Sequence, residues 1–265
     1  MIGTIIGDIV GSVYEFNNIK TKQFEFFNPK AEFTDDSIMA IAVAEAILNS
    51  HDFEDEDAVR AHMVYSMLRL GNKYPYPMGG YGSRFVQWLR SNDPKPYGSY
   101  GNGSAMRVAA CGFAGGTLKD ALTLAQCSAE VTHNHPDGIR GAQCVAACIW
   151  LAKDGYDKDL ISEIVNALYY PLNKNLDQIR LTYKFESGCQ GTVPQAIQAF
   201  LESTDFEDAI RNAVSLGGDS DTLAAITGGI AEAYYGVPDD IRARAEAYLA
   251  PDLLEIVKRF EKKYQ

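Results

Sequence analysis

A chain of 265 residues is long enough to bury a sizeable core, and its 46% apolar and 22% charged residues are ordinary for a folded globular protein. That composition excludes intrinsic disorder, and the formal net charge of −11 means that the chain as a whole repels nucleic acid and anionic membranes. There is no basic leader and no run of about eighteen apolar residues. We therefore expect a cytoplasmic protein without a signal peptide or a membrane span.

Helical periodicity dominates from the first residues onward, whereas strand-like alternation with turn dipeptides is nearly absent. Residues 2–13 carry isoleucine and valine at helical spacing. Gly3, Gly7 and Gly11 form a ridge of small residues there, which lets another backbone approach closely. Residues 37–49 are rich in alanine and isoleucine and predict a second helix. Further helical patterns lie near residues 55–70, 83–90, 104–114, 118–129, 138–152, 159–168, 192–203, 206–215, 221–234 and 239–263.

Three loop regions interrupt these helices without a change in the surrounding composition. Glycine and proline concentrate in residues 71–82 and 91–103, and residues 170–191 form a longer polar connection. No linker-like segment and no fixed-period repeat is visible. The sequence therefore predicts a single all-α domain over residues 1–265, with about a dozen helices.

Two acidic clusters lie far apart in the chain, each just ahead of an apolar helical run: Thr34-Asp35-Asp36 and Asp219-Ser220-Asp221-Thr222. Helix capping explains either cluster by itself, because Thr, Asp and Ser are favoured at the N-cap and acids suit the first turn. Neighbouring carboxylates repel each other unless a cation separates them, and oxygen ligands are what a hard divalent ion prefers. The two clusters together therefore favour a metal site. An EF-hand is excluded because Ala224 and Ile230 stand where its loop requires Gly and Glu.

Two further acids, Asp8 and Glu15, belong to the first predicted helix. They are two helical turns apart and face the same way. An otherwise apolar helix has little reason to present two carboxylates on one side unless they have partners. We expect Glu15 to be an acid of the site, whereas a capping or salt-bridging role explains Asp8 equally well.

The segment from Gly98 to Arg107, with the sequence GSYGNGSAMR, is a glycine-rich loop that leads into a helix. It does not match the dinucleotide fingerprint, because Met106 stands where the last glycine belongs, and the chain has no phosphate loop of the nucleotide triphosphatase type. The exposed amides of such a loop suit phosphate oxygens. A plain structural turn is an equally good interpretation from the loop alone.

Histidine, tyrosine and cysteine each allow a functional and a structural interpretation. His133, in a His-x-His pair, lacks the partners that zinc requires, so a hydrogen bond to a ligand or a capping role is preferred. Tyr81 is a candidate for the floor of a pocket or for core packing. Cys144 and Cys148 lie among Ala, Val and Ile and are interpreted as buried small hydrophobes, with zinc ligation as the alternative. Five cysteines are an odd number, which argues against a disulfide framework.

Taken together and in order, these motifs resemble the ADP-ribosylglycohydrolases. The matching segments are Gly7-Asp8 through Glu15, Thr34 to Ser37, Gly80-Tyr81-Gly82, Ser99 to Arg107, Thr132-His133 and Gly217 to Thr222. The resemblance implies an orthogonal multi-helix bundle with two neighbouring Mg²⁺ or Mn²⁺ ions in a cleft. The metal ligands that it implies are Thr34, Asp35, Asp36, Asp219, Asp221 and Thr222.

The resemblance also implies roles for the residues around the ions. Glu15 is similar to the acid that contacts an ion or the substrate, and His133 matches the histidine that contacts ADP-ribose. The implied substrate-binding set is Gly82, Ser99, Tyr100, Gly101, Asn102, Gly103, Met106 and His133. The segment from Ser187 to Pro194 departs from the acidic pattern of the family, and this departure bears on the acceptor and not on the metal site.

The expected activity is divalent-metal-dependent hydrolysis of the C1″ glycosidic bond of an ADP-ribosylated protein or small molecule, with release of ADP-ribose. Paired carboxylates commonly serve glycosidic cleavage, so Asp35 or Asp36 is the candidate base and Glu15 the acid or positioning group. Arginine, serine, nucleic acid and small molecules all stay open as acceptors. Two alternatives are a non-catalytic ADP-ribose-binding protein on the same scaffold and a di-metal phosphohydrolase that releases AMP from ADP-ribose.

Overall fold

Fifteen helices and the loops between them make up the whole chain in the computed structural model, which describes residues 1–265. No sheet forms, because the strand-like pairings are two isolated bridges, Thr34 to Met78 and Gly101 to Gly188. The prediction of an all-α fold is confirmed. The helices are α1 (Ile2–Ser12), α2 (Asp35–Asn49), α3 (Glu56–Lys73), α4 (Ser83–Leu89), α5 (Gly103–Met106), α6 (Ala109–Ala114), α7 (Leu118–Glu130), α8 (Pro136–Lys153), α9 (Lys158–Leu168), α10 (Leu176–Thr182), α11 (Cys189–Leu201), α12 (Phe206–Val214), α13 (Ser220–Tyr235), α14 (Asp239–Glu246) and α15 (Pro251–Tyr264).

Two of the predicted helices are each divided in the structure. Residues 104–114 form α5 and α6, because the chain turns at Arg107 and Val108 and the long Arg107 side chain is buried at this break. Residues 239–263 form α14 and α15. The division occurs because Pro251 has no N–H group to continue a helix, and it occupies the first turn of α15 instead.

Two other expectations need correction. Residues 170–191 are not a plain loop, since Asn175 and Gln178 form a capping box that starts the short helix α10. The first helix is also shorter than predicted. It ends at Ser12, so Glu15 lies in the turn beyond α1 and does not share a helical face with Asp8.

The most extensive helix contact is between α1 and α13, which run antiparallel. The glycine ridge of α1 makes this contact. A Cβ atom added at Gly7 would lie 1.9 Å from the carbonyl oxygen of Ala224, and one at Gly11 would lie 2.5 Å from the Cα atom of Asp221. The predicted close approach of a second backbone is therefore present. It places the C-terminal end of α1 beside the N-terminal end of α13.

One continuous core of 75 buried apolar residues runs through these helices. All five cysteines are free and buried, and Cys144 and Cys148 lie fully buried on α8 as small hydrophobes. Neither contributes to a group of metal-binding side chains, so the zinc alternative has no support. No helix combines the length and the apolar character that a membrane crossing requires.

Candidate active site

A cleft of about 460 Å³ brings together most of the residues singled out in the sequence. Five carboxylates, two arginines and one histidine contribute to its walls. The predicted site residues that line it are Glu15, Asp35, Asp36, Gly82, Ser99, Gly101, Asn102, Gly103, Met106, His133, Asp219, Asp221 and Thr222. Thr34 and Tyr100 do not line the cleft. Tyr81 combines the two roles proposed for it, pocket lining and core packing, since it lines the cleft and its ring centroid lies 5.5 Å from that of Phe85.

Asp8 on α1 holds the first acidic cluster in place through hydrogen bonds. Its carboxylate accepts hydrogen bonds from the backbone N–H of Thr34 at 2.9 Å, from the Thr34 hydroxyl at 2.7 Å and from the backbone N–H of Ser37 at 3.1 Å. The Ser37 hydroxyl also donates to it. Asp8 is fully buried and does not line the cleft, so the structure favours its capping role. It fixes the start of α2 against α1.

The first turn of α2 presents Asp35 and Asp36 to the cleft. Thr34 is the N-cap, and its hydroxyl oxygen accepts a hydrogen bond from the backbone N–H of Asp36 at 3.1 Å while donating to Asp8. Thr34 is therefore occupied with helix capping in this structure, and its role as a metal ligand stays a prediction. Asp36 is buried, and its Oδ2 atom has no hydrogen-bond partner.

The second acidic cluster begins α13. Gly217 and Gly218 precede it with φ values of 67° and 77°, a backbone conformation that favours glycine. The Asn18 side chain holds this turn, donating to the Gly218 carbonyl at 2.9 Å and accepting from the Gly218 N–H at 2.7 Å. After this turn, Asp219 and Asp221 both line the cleft.

Glu15 lies against the second cluster although it is outside any helix. One carboxylate oxygen each from Glu15, Asp219 and Asp221 lies within 4.8 Å of the others, which is close enough for a shared metal ion. Gly79 contacts the Glu15 carboxylate closely, since an added Cβ there would lie 2.7 Å from Oε2. Burial, with the negative charges of Asp219 and Asp8, raises the pKa of Glu15 to about 7.

The carboxylates of both clusters fit a divalent cation. Burial, and secondly the charges of the neighbouring acids, raise the pKa of Asp35, Asp36 and Asp221 well above the usual carboxyl range. A cation among them would remove this repulsion and supply the partner that Asp36 Oδ2 lacks. The donors are all oxygens, which suits Mg²⁺ or Mn²⁺ better than a soft metal.

The glycine loop forms the adjoining wall. The Asn102 N–H donates to the Ser187 carbonyl at 2.8 Å, and the Cys189 N–H donates to the Tyr100 carbonyl at 3.0 Å. The loop is therefore pinned to the segment that starts α11. The Asn102 side chain donates to Asp219 Oδ2 at 2.6 Å, so the loop and the second acidic cluster are in direct contact.

Individual residues of this loop differ in what they offer a ligand. The Ser99 hydroxyl accepts from the Gly101 N–H at 3.2 Å, and Ser99 lines the cleft. Tyr100 is 60% exposed and does not line the cleft. Its ring makes a T-shaped contact with the imidazole of His135, with the ring centroids 5.5 Å apart. Met106 lines the cleft, with its sulfur 3.9 Å from the Thr222 hydroxyl.

His133 is buried beside the glycine loop. A Cβ added at Gly103 would lie 3.1 Å from His133 Nε2, and one at Gly101 would lie 3.5 Å away, so this nitrogen faces the loop. Burial, together with the positive charges of Arg107 and Arg84, lowers the pKa of His133 well below its usual value. The imidazole is therefore neutral at physiological pH and available as a hydrogen-bond donor.

Several cleft residues carried no recognisable signal in the sequence. Arg84 lies over the Tyr97 ring at 4.7 Å, and both line the cleft. Phe16 and Phe185 also line it and are mostly exposed. Single arginines and aromatics in loops are common on any surface, so only the fold identifies these. Arg107 ended the glycine-loop motif and could have been noticed there.

Comparison with known proteins identifies the family of the chain. The model of the ADP-ribosylglycohydrolase family matches residues 1–265. Human ADP-ribosylhydrolase ARH3 is 28% identical over 339 aligned residues, which cover 96% of this chain and 90% of that protein. The ADP-ribosylarginine hydrolase Tri1 of Pseudomonas putida is 29% identical over 269 residues, covering 89% of this chain and 70% of that protein.

A solved structure supports the fold. One chain of a solved ADP-ribosylglycohydrolase-related protein complex superposes with a TM-score of 0.71, and the match covers 100% of this chain and 96% of that chain at 23% sequence identity. The resemblance found in the sequence motifs is thus confirmed by a match that leaves out no part of the chain. The protein belongs to the ADP-ribosylglycohydrolase family of hydrolytic enzymes.

Proposed function

We propose that the protein hydrolyses the C1″ glycosidic bond of an ADP-ribosylated acceptor at a dinuclear Mg²⁺ or Mn²⁺ centre and releases intact ADP-ribose. The observation that carries this proposal is the 2.6 Å hydrogen bond from Asn102 to Asp219. It makes the glycine loop and the carboxylates one continuous wall. Phosphate oxygens and ribose hydroxyls are adjacent in ADP-ribose, and a wall of this kind accommodates both.

The residues that would hold the cations are Asp35, Asp36, Asp219, Asp221 and Thr222, with Thr34 as a sixth ligand. When bound, the cations supply positive charge that keeps these carboxylates ionised and polarises the ribose hydroxyls. The diphosphate is expected at Ser99 to Gly103, where His133 adds a neutral donor. Met106 would separate the two subsites, and Gly82 would line the cleft without blocking it.

The chemistry needs one group that removes a proton from the attacking water and one that assists the leaving group. Asp35 or Asp36 is the proposed base, because both carboxylates face the cleft from one helix turn. Glu15 is the proposed acid or positioning group. It lies on a turn beside Asp219 and Asp221, so it can contact the substrate without being held by a helix.

The acceptor is proposed to be an ADP-ribosylated protein or small molecule, and an ADP-ribosylated nucleic acid is compatible with the cleft chemistry. One relative, Tri1, is named an ADP-ribosylarginine hydrolase, whereas the name of ARH3 specifies no acceptor. Arginine-linked and serine-linked ADP-ribosyl peptides are therefore the first substrates to compare. Phe16 and Phe185 at the cleft are the side chains available to contact the acceptor.

The test is product identification by mass spectrometry with the full chain, Mg²⁺ and both peptides. We expect intact ADP-ribose and the free peptide, and no turnover after chelation with EDTA. An Asp221→Asn variant should lose activity, whereas Asp239→Asn, an exposed acid in the first turn of α14, should keep it. AMP as the product would instead indicate a phosphohydrolase, and binding of the peptide without release would indicate an ADP-ribose-binding protein. Either result would refute the proposal.

A further inference from the structure

Arg107 is a buried cation without an acidic partner. Its side chain is 1% exposed, at the break between α5 and α6. Its hydrogen bonds go to the Ser128 hydroxyl at 3.4 Å, to the Ser128 carbonyl and to the Thr132 hydroxyl at 2.8 Å, all of which are neutral. Buried charges are usually paired, because desolvation is costly. An unpaired arginine on the wall of a ligand cleft therefore requires an explanation.

The Thr132 hydroxyl connects Arg107 to His133. Thr132 is fully buried, and its Oγ1 atom lies 2.8 Å from Arg107 Nη2 and 2.7 Å from His133 Nδ1. A guanidinium can only donate, so Oγ1 accepts in the first of these contacts. The hydroxyl makes no other hydrogen bond to the protein. Its own proton must therefore point at His133 Nδ1, since otherwise it would be a buried donor without an acceptor.

This direction fixes the tautomer of the imidazole. If Nδ1 accepts a hydrogen bond from the Thr132 hydroxyl, it cannot carry a proton itself, and the single proton of the neutral ring is on Nε2. The Nε2 atom is the one that faces Gly101 and Gly103. The Tyr97 ring lies 5.8 Å from the imidazole, and the Tyr97 N–H donates to the Thr132 carbonyl at 3.1 Å, which limits movement of this group.

We infer that Arg107 and Thr132 are positioning residues that hold His133 in its neutral Nε2–H form, so that the ring presents an N–H to a phosphate oxygen at the glycine loop. This inference rests on the proposed function. It explains why the arginine has no acidic partner: a carboxylate within reach would compete for the Thr132 hydroxyl and place negative charge beneath the diphosphate. The anionic ligand itself provides the opposing charge when it binds.

Nuclear magnetic resonance tests the tautomer directly. Long-range ¹H–¹⁵N correlation on the 265-residue chain with Mg²⁺ shows which ring nitrogen carries the proton, and His133→Gln identifies the His133 signals. We expect the Nε2–H form. In Thr132→Val, which keeps the shape and removes the hydroxyl, the Nδ1–H form should become populated. The Thr132→Ser variant should restore the wild-type signals.

Calorimetry with ADP-ribose supplies the second measurement. Thr132→Val should weaken ADP-ribose binding about tenfold, the effect of losing one well-oriented hydrogen bond, and Thr132→Ser should restore it. Thr227→Val is the matched control. It removes a buried hydroxyl that donates to the Ala196 carbonyl at 2.9 Å, outside the cleft lining, and should change neither tautomer nor affinity.

The outcomes separate this inference from the proposed function. An Nδ1–H tautomer in the wild-type protein, or a Thr132→Val variant with unchanged tautomer and affinity, would overturn the inference even in an active hydrolase. If the wild-type protein shows the Nε2–H form but does not bind ADP-ribose, the proposed function fails and the ligand assigned to His133 fails with it.

Discussion

The hydroxyl of Thr222 on α13 lies 3.4 Å from Oδ1 of Asp36 on α2, so the two acidic clusters touch although 186 residues separate these positions. Each cluster lies at the N-terminal end of its helix, where the helix dipole favours negative charge. The dipoles partly offset the mutual repulsion of the acids. The dipoles do not remove the repulsion. Substituting the acids should therefore measurably change cation affinity and the stability of the metal-free protein.

Replacing both Asp219 and Asp221 by Ala should strongly weaken divalent-cation binding. Two of the proposed carboxylate ligands disappear, and we expect Mg²⁺ and Mn²⁺ affinity to fall by about 100-fold or more. Isothermal titration calorimetry measures this. The double variant Asp239→Ala/Asp240→Ala removes two exposed acids from the first turn of α14 and should bind as the wild type does. Cation binding by the Asp219/Asp221 variant at unchanged affinity would contradict the ligand assignment.

The metal-free protein should lose stability as the pH rises. A carboxyl whose pKa is raised in the fold stabilises the protein below its unfolded pKa, and this stabilisation is lost as the pH passes the folded value. For Glu15 this stabilisation is lost over the pH range from 4.5 to about 7, because the pKa of its carboxyl is raised between these values on folding. The rise in melting temperature on adding Mg²⁺ should therefore be larger at pH 8 than at pH 5. In Glu15→Gln the pH dependence of the metal-free protein should become shallower, and a wild-type melting temperature that increases from pH 5 to pH 8 without metal would refute this explanation.

Asp8→Asn should destabilise the start of α2. The Asp8 carboxylate accepts four hydrogen bonds from Thr34 and Ser37. In asparagine an NH₂ group replaces one of the accepting oxygens, so its two N–H donors would face the donors of Thr34 and Ser37. We expect a loss of about 2–3 kcal/mol in the free energy of unfolding, measured by urea titration. Asp157→Asn is the control, because asparagine caps a helix as well as aspartate does at α9. An unfolding free energy equal to that of the wild type would show that the Asp8 carboxylate is not needed to hold the start of α2.

Gly7→Ala should separate α1 from α13. Its added methyl group would lie 1.9 Å from the Ala224 carbonyl oxygen. The nearest atoms are all backbone atoms of α13, which cannot turn aside, so the helices must move apart. The expected cost is about 2–4 kcal/mol, seen as a lower melting temperature in calorimetry. At Gly116, the nearest atom to an added Cβ is the Asp120 carboxylate at 3.6 Å, so Gly116→Ala should be nearly neutral. Equal effects of the two substitutions would mean that the contact between α1 and α13 is not tight.

The sequence predicted those features that are local in the chain. Helical periodicity gave the all-α fold, and the spacing of Gly3, Gly7 and Gly11 predicted a close helix contact before its partner was known. The two acidic clusters were predictable for the same reason, since each is a short segment at a helix start. Their shared oxygen chemistry already favoured one metal site, and the family resemblance then added a second ion and the ligand ADP-ribose.

What the sequence could not predict depends on contacts between distant residues. The role of Asp8 was open until the structure placed Thr34 and Ser37 around its carboxylate. The helix predicted for residues 104–114 breaks at Arg107 because that side chain is drawn to Ser128 and Thr132 on another part of the chain. No periodicity in residues 104–114 shows where those partners lie.

The glycine ridge of α1 has a consequence for how a cation would enter the site. Main-chain atoms alone set the distance between Gly11 and the start of α13, because a Cβ added at Gly11 would lie 2.5 Å from the Cα atom of Asp221. The backbone from which Asp221 extends is therefore fixed by helix packing, and only the carboxylate side chains have to turn toward an arriving ion. Loading of the site should be limited by dehydration of the incoming ion, with no folding step of the protein.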